Sequence, residues 1–354
     1  MTGRGTVLAA RLDNAGDVLM AGPAIRAIAA GAREVVLLTG PNGCAAAELL
    51  PGVDRVLEWR APWIDPEPRP LTRAHVEELV SLVEATGPEE AVIFTSFHQS
   101  SLPLAMLLRL AGVPRIAAIS EDYPGSLVDV RHIVDENVDV PEALRMLELA
   151  RAAGFELPAD DDGALAVRRP LRSVDRFTGP PGYVVVHPGT SASARSWPAE
   201  SHAKTVRELV LSGMRVVVTG GPDEQALTAQ VAGAYGCDLG GVTTFPELAA
   251  VLAGAAAVVV ANTGPAHLAA AVGTPVVSLF APVVPAARWA PYRVPVVLLG
   301  DQHATCRGTR ARVCPVPGHP CLSSVTGEEV VAAVLGLVAA TAPGARDGVK
   351  EGAR

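Results

Sequence analysis

The chain has 354 residues, 49% of them hydrophobic and 19% charged, which excludes a disordered chain and leaves room for two cores. Twenty-nine Lys and Arg against 37 Asp and Glu give a formal charge of −8. That balance argues against a nucleic-acid binder, although it permits a local basic pocket. Mean hydropathy is +0.30. The apolar runs (35–38, 184–186, 216–218, 258–261 and 276–280) nonetheless fall far short of the ~20 residues that span a bilayer, and residues 1–5 lack a signal-peptide core. The sequence therefore predicts a cytoplasmic protein. Five cysteines, an odd number, do not suggest a disulfide scaffold, and Cys44 and Cys237 stand alone inside predicted core elements. Cys306, Cys314 and Cys321 form C-x7-C-x6-C, without the C-x2-C hooks of common zinc sites, so no metal site is predicted.

Short apolar runs alternate with amphipathic segments, the pattern of buried parallel strands joined by helices. The first half predicts strands over 6–10, 34–39, 53–59, 91–96 and 115–120. Helices are predicted over 17–30, 42–50, 72–86, 101–111 and 141–154, with a Pro-rich loop containing Pro62, Pro66, Pro68 and Pro70. A polar stretch and the breaker cluster 178–182 place the connection between domains near 170–180. The second half predicts strands over 183–187, 215–219, near 238, 257–261, 275–280 and 294–299, with helices over 199–212, 223–235, 245–255, 264–272 and 326–340. Thr326 with Glu329 three residues on is a capping box. The expected division is an N-terminal Rossmann-like domain over 1–172, a second over 173–341, and a disordered tail over 342–354.

Ligands of open α/β sheets bind beyond the carboxyl ends of strands, in the crevice where helix N-termini point. Two such domains imply a cleft. Four strand-end segments carry chemistry. In Ala10-Arg-Leu-Asp-Asn-Ala-Gly-Asp-Val, Asp17 at a helix start is either a charge on the helix dipole or a carboxylate able to act as general base. The loop His187-Pro-Gly-Thr-Ser-Ala-Ser-Ala-Arg offers hydroxyls on Thr190, Ser191 and Ser193 and a cation on Arg195, suited to phosphate. In Thr219-Gly-Gly-Pro-Asp-Glu, Gly221 allows close backbone approach. Glu224 there is a dipole carboxylate or an acceptor for ribose hydroxyls. Asn262-Thr263-Gly264-Pro265 opens a helix whose N–H groups suit a diphosphate, and His267 lies in its first turn as a structural or a ligand-facing imidazole. Of the remaining strand ends, His98, Gln99 and Ser100 follow one predicted strand, and the loop from Ser120 follows another. Arg60, Arg69 and Arg73 could attract an anionic acceptor or stand solvated. The D-x-D of Asp160–Asp162 reads as solvated loop.

Together these segments resemble the ADP-heptose:lipopolysaccharide heptosyltransferases, glycosyltransferase family nine. The resemblance covers residues 6–340 and rests on Gly16-Asp17-Val18 with Pro23-Ala24; His187-Pro188-Gly189, Arg195 and Trp197-Pro198; Gly220 to Glu224; and Asn262 to Pro275. It implies a GT-B fold of two doubly wound Rossmann-like domains facing a central cleft. The activity it implies is inverting, metal-independent glycosyl transfer without a cofactor. Asp17 would deprotonate an acceptor hydroxyl. Thr190, Ser191, Arg195, Thr263 and Gly264 would hold the diphosphate, with Gly221 beside Glu224 at the ribose and Asn262 and His267 near the sugar. Asn14, His98 and Gln99 would face the acceptor, a glycan or small molecule; a lipid-linked one would bring the protein to a membrane surface. Arg195 stands where the family usually has Lys, and Asn262 where it usually has Asp, which bears on the donor more than on the transfer. Rival readings are a non-hydrolysing nucleotide-sugar epimerase, against which the Gly-Asp-Val opening speaks, and a catalytically silent nucleotide-sugar-binding protein, against which Asp17 speaks.

Overall fold

The computed structural model describes residues 4–65 and 67–341. The expected tail, 342–354, lies outside them. The chain separates after Arg169 into two compact units.

The first unit is built on a parallel six-stranded sheet: β1 (Arg4–Arg11), β2 (Ala32–Thr39), β3 (Arg55–Glu58), β4 (Glu90–Ile93), β5 (Ile116–Ile119) and β6 (Val130–His132), in the order β3-β2-β1-β4-β5-β6. Parallel strands are covered on both faces, which is why β1 is apolar at consecutive positions: Val7, Leu8, Ala9 and Ala10 are all fully buried. Leu8, Ala10, Val36 and Leu38 pack on Leu79 and Val83 of helix Arg73–Glu84 and on Leu104 and Leu108 of helix Leu102–Leu110. Helices Gly22–Gly31 and Glu142–Ala152 pack against each other.

The second unit repeats the plan with β7 (Tyr183–His187), β8 (Val216–Gly220), β9 (Cys237–Gly240), β10 (Ala255–Ala261), β11 (Val276–Leu279) and β12 (Val296–Leu299), ordered β12-β11-β10-β7-β8-β9 and again parallel. Val184, Val186, Val218, Val259 and Val277 form one core with Trp197, Val206 and Leu209, and with Val330 and Val334 of helix Gly327–Thr341. Thr326 and Glu329 cap that helix reciprocally, at 2.7 Å from the Thr326 N–H to Glu329 Oε2. In each sheet the order reverses between two central strands, β1 and β4 or β7 and β10. Their C-terminal loops part there, leaving the crevice that open α/β sheets offer to ligands.

Several elements depart from expectation for local reasons. The helix expected over 17–30 is two, Ala15–Met20 and Gly22–Gly31, because Pro23 has no N–H to continue the first. The helix expected over 42–50 shrinks to Cys44–Ala47, and the one over 223–235 begins as a single 3-10 turn before helix Gln225–Ala232. β6 is short and half-polar and gives no apolar run to read. Cys237 is exposed on the edge strand β9 rather than in a core. Asp161 is no solvated loop residue: its two oxygens take the Arg26 guanidinium at 2.6 and 2.8 Å.

The first unit's crevice depends on close backbone approach. A Cβ on Gly40, just past β2, would lie 2.5 Å from the carbonyl oxygen of Leu12. Gly40→Ala should therefore cost about 1–3 kcal/mol, read as a lower denaturant midpoint at unchanged m-value. In the second unit His202 stands edge-on to Trp197 and is 2% exposed. Burial, with a smaller effect from His187, pushes its pKa down to about 3. An unfolded histidine takes its proton near pH 6.5, so between there and about pH 3 the unfolded state binds more protons and stability falls as pH falls. The slope is about 1.4 kcal/mol per pH unit for that group. His202→Phe should flatten this acid limb in urea titrations run from pH 7 to 4.

Candidate active site

In the first unit, β1 ends on Arg11, which is fully buried. Its Nε lies 3.1 Å from Asp13 Oδ2, and its Nη2 donates to Asp17 Oδ1 at 3.1 Å and to Ser96 Oγ at 2.8 Å. Burial opposes the charge of Arg11; the carboxylates of Asp13, Asp17 and Glu142 outweigh it and hold the pKa above the ordinary arginine value. Asp13 is anchored in turn by Gln99, whose Nε2 donates to Oδ1 at 2.5 Å, while Gln99 Oε1 accepts the Ser96 N–H at 2.8 Å. Burial pushes the Asp13 carboxyl above its usual range, opposed by Arg11. Asp17 occupies the first turn of helix Ala15–Met20, its side chain 22% exposed, so its carboxylate reaches solvent while one oxygen is held.

The other expected acceptor residues divide. Asn14 is the exposed N-cap of the same helix, and its carbonyl accepts from the Val18 N–H. His98 is exposed against Phe97, whereas Gln99 spends both ends of its amide on Ser96 and Asp13. His98, Gln99, Ser120, Glu121 and Asp122 share a cavity of about 220 Å³ with Glu136 and Arg145. Arg60 is paired with Asp65, Arg73 lies 3.9 Å from Glu77, and Arg69 is exposed.

In the second unit the loops after β7 and β10 meet. Arg195 Nη1 donates to the Asn262 carbonyl at 3.1 Å. Thr190 Oγ1 donates to the Ala192 carbonyl at 2.8 Å and lies 3.1 Å from Ser196 Oγ, which tightens the hydroxyl loop; Ser191 is exposed, its carbonyl taken by Arg312 at 3.2 Å. Thr263 caps helix Gly264–Val272 from an extended conformation, leaving the Gly264 end open. The Asn262 side chain is 5% exposed, and neither its amide oxygen nor its nitrogen has a hydrogen-bond partner among the described residues; the same holds for His267 Nδ1. Burial, and then Arg195, push the His267 pKa down to about 4, so the ring is neutral near pH 7. Unsatisfied buried polar groups cost about 1–3 kcal/mol each, so three atoms gathered beside a guanidinium mark a place built to receive polar groups.

Glu224 sits beyond β8. Its Oε2 accepts the Gly221 N–H at 2.8 Å and lies 4.0 Å from His187 Nε2, and a Cβ on Gly189 would fall 1.9 Å from its Oε1. Gly189 in His-Pro-Gly is thus the residue that lets this carboxylate sit against the β7 loop. Among the described residues no three His, Cys, Asp or Glu side chains gather as a metal ion would need. All five cysteines are free, Cys306 and Cys321 within the core.

Sequence reasoning passed over Arg11, Asp13 and Ser96. The available signal was a charged residue ending an otherwise apolar central strand. A buried guanidinium there needs carboxylates close by, and Asp13 and Asp17 are next along the chain.

Comparison with known proteins agrees with this geometry. Residues 97–319 match glycosyltransferase family 9 (heptosyltransferase). Lipopolysaccharide heptosyltransferase 3 of Escherichia coli is 28% identical over 220 residues, 60% of this chain and 62% of that one. The chain spans between 44% and 62% of the length of the curated relatives it matches. Among solved structures, Escherichia coli ADP-heptose lipopolysaccharide heptosyltransferase II superposes with a TM-score of 0.72 at 16% identity, over 94% of this chain and 98% of that one. Escherichia coli heptosyltransferase WaaC with ADP-2-deoxy-2-fluoro heptose gives 0.65 at 20% identity, over 92% and 97%. The fold is therefore GT-B, as the motifs imply. With a family match over more than half of its length, the chain belongs to glycosyltransferase family 9, the heptosyltransferases.

Proposed function

We propose that the chain is an inverting glycosyltransferase that moves heptose from ADP-heptose to an acceptor hydroxyl. The observation that carries this reading is the cluster of Arg195, Asn262 and His267 at the β7–β10 crevice. It brings one cation and three buried, unpartnered polar atoms to the open end of helix Gly264–Val272. A nucleoside diphosphate supplies what such a cluster lacks: oxygens for the guanidinium and helix N–H groups, and sugar hydroxyls for the amide. Thr190 and Ser191 line the diphosphate in this reading, with Thr263 and Gly264. Glu224 takes the ribose, with Gly221 fixing its orientation. The bound ADP-heptose analogue of WaaC supports the same donor class.

In this reading Asp17 takes the acceptor's hydroxyl proton while the acceptor oxygen attacks the anomeric carbon from the side opposite the diphosphate. The bond to phosphate breaks and ADP leaves with the electron pair. One displacement inverts the centre. The leaving group is already an anion, so preorganised N–H donors and Arg195, rather than a metal or a protonating acid, suffice to stabilise it. Asn14, His98 and the 220 Å³ cavity beside Gln99 receive a glycan or small-molecule acceptor, placing acceptor recognition in the first unit and the donor in the second. No helix among the described residues is long and apolar enough to cross a membrane, and a lipid-linked acceptor would be met at the membrane surface from the cytoplasm.

Calorimetric titration with ADP, UDP, GDP and ADP-heptose, without metal and again with Mg²⁺, tests the donor. Preference for ADP and ADP-heptose, unchanged by the metal, is the expected result; preference for UDP or GDP would overturn the donor, and a requirement for metal would overturn metal independence. Asp17→Asn tests the base. Turnover should fall about 10²–10⁴-fold while ADP affinity stays within about twofold, and unimpaired turnover would remove Asp17 from the mechanism.

A further inference from the structure

Arg11 does more than balance charge. Its side chain, Asp13, Gln99 and Ser96 form a closed ring across the β1–β4 crevice. Arg11 reaches Asp13 at 3.1 Å, Gln99 reaches Asp13 at 2.5 Å, the Ser96 N–H reaches Gln99 at 2.8 Å, and Arg11 returns to Ser96 Oγ at 2.8 Å. Asp17 hangs from this ring by one oxygen, Oδ1, 3.1 Å from Arg11 Nη2. Its other oxygen, Oδ2, bonds to no described residue. We propose that Arg11 is the positioning residue of the base: it clamps Asp17 Oδ1 so that Oδ2 faces the acceptor, and Gln99 serves the site by anchoring Asp13 and thereby Arg11. The inference rests on Asp17 being the base.

The physical case begins from the cost of the arrangement. Taking a guanidinium fully out of water is expensive, and a buried ion pair is often replaceable by apolar residues with no loss of stability. An arginine here is poorly explained by stability alone. It does match what a short carboxylate at a helix start requires. Without a second anchor such a side chain turns about its own bonds, and misplacement of a reacting group by about 1 Å can cost 10²-fold in rate. The planar fork suits the task, because separate N–H groups reach Asp13 and Asp17 in fixed directions.

The ring has charged neighbours from every element around it. Glu142, on helix Glu142–Ala152, acts on Arg11 from the far side. Arg145 of the same helix lies 3.8 Å from Glu142 and is held by Glu136 at 2.6 Å and by the Thr95 carbonyl at 2.6 Å. His98 acts on Asp13 from the β4 loop. Two carboxylates, Asp13 and Asp17, thus share one guanidinium, while Arg145 stands nearer Glu142 and Glu136.

The test uses the full chain carrying carbon-13 in its aspartate carboxyls, with the Asp17 resonance identified by its loss in Asp17→Asn. In Arg11→Gln the titration midpoint of Asp17 should rise by about one to three pH units, because the neighbouring positive charge is gone. In Arg11→Lys the charge stays and the midpoint should stay near that of the parent. The ammonium cannot reproduce the fork, however, so release of ADP from ADP-heptose to water should fall about tenfold or more. An unmoved midpoint in folded Arg11→Gln overturns the proposal, and so does full ADP release in Arg11→Lys, which decides the matter if Arg11→Gln does not fold. Failure of the underlying reading looks different: Asp17→Asn would itself release ADP at the parent rate.

Discussion

A guanidinium with no exposure to water must be neutralised where it stands, and most of the first unit's crevice follows from that constraint. β1 delivers Arg11 to the carboxyl edge of the sheet, and three carboxylates answer it. Asp13 and Asp17 lie within six residues along the chain, and Glu142 comes from a helix packed behind. The loop after β4 then closes the arrangement through Ser96 and Gln99. The polar groups are so interdependent that the loops on either side of the crevice have little freedom. Gly40 tightens it further, since any side chain there would strike the Leu12 carbonyl.

The second unit solves a different problem with the same topology. Its crevice holds few satisfied groups and several unsatisfied ones. Asn262 and His267 are buried and neutral near Arg195, and the helix that follows them presents its first N–H groups without a side-chain cap. A carboxylate at position 262 would add a negative charge on the residue whose carbonyl already accepts from Arg195. Asparagine keeps the hydrogen-bonding shape without that charge, a difference that matters in a place proposed to receive a diphosphate. Glu224 stands apart, drawn against Gly189 and the Gly221 N–H.

Much of this was legible in the sequence. Apolar runs of four to seven residues located the central strands, and the residues after them carry the chemistry because parallel sheets leave only their ends polar. The glycines of His187-Pro-Gly and Thr219-Gly-Gly marked close approaches that the structure makes specific at Glu224. Other features were not legible because they depend on contacts distant in sequence. Gln99 reads as an exposed strand-end amide until Asp13, 86 residues away, claims it. Asp161 reads as loop until Arg26 binds it. β6 has no pattern of its own and exists because β5 offers it an edge.

The division of charge between the two units fits the chemistry proposed for them. A general base must stay anionic, and a diphosphate must meet cations and N–H groups; in one small crevice these demands would cancel, the base pairing with the cation meant for phosphate. Here each sheet has its own arginine with its own assignment. Arg11 is enclosed by carboxylates and has no accessible face for a phosphate, so its charge can act only on Asp13, Asp17 and Glu142. Arg195 is half-buried and bonded to a backbone carbonyl, an acceptor that leaves its formal charge intact. Two arginines of identical chemistry are thus set to opposite tasks by what surrounds them, one to hold a base and the other to meet an anion.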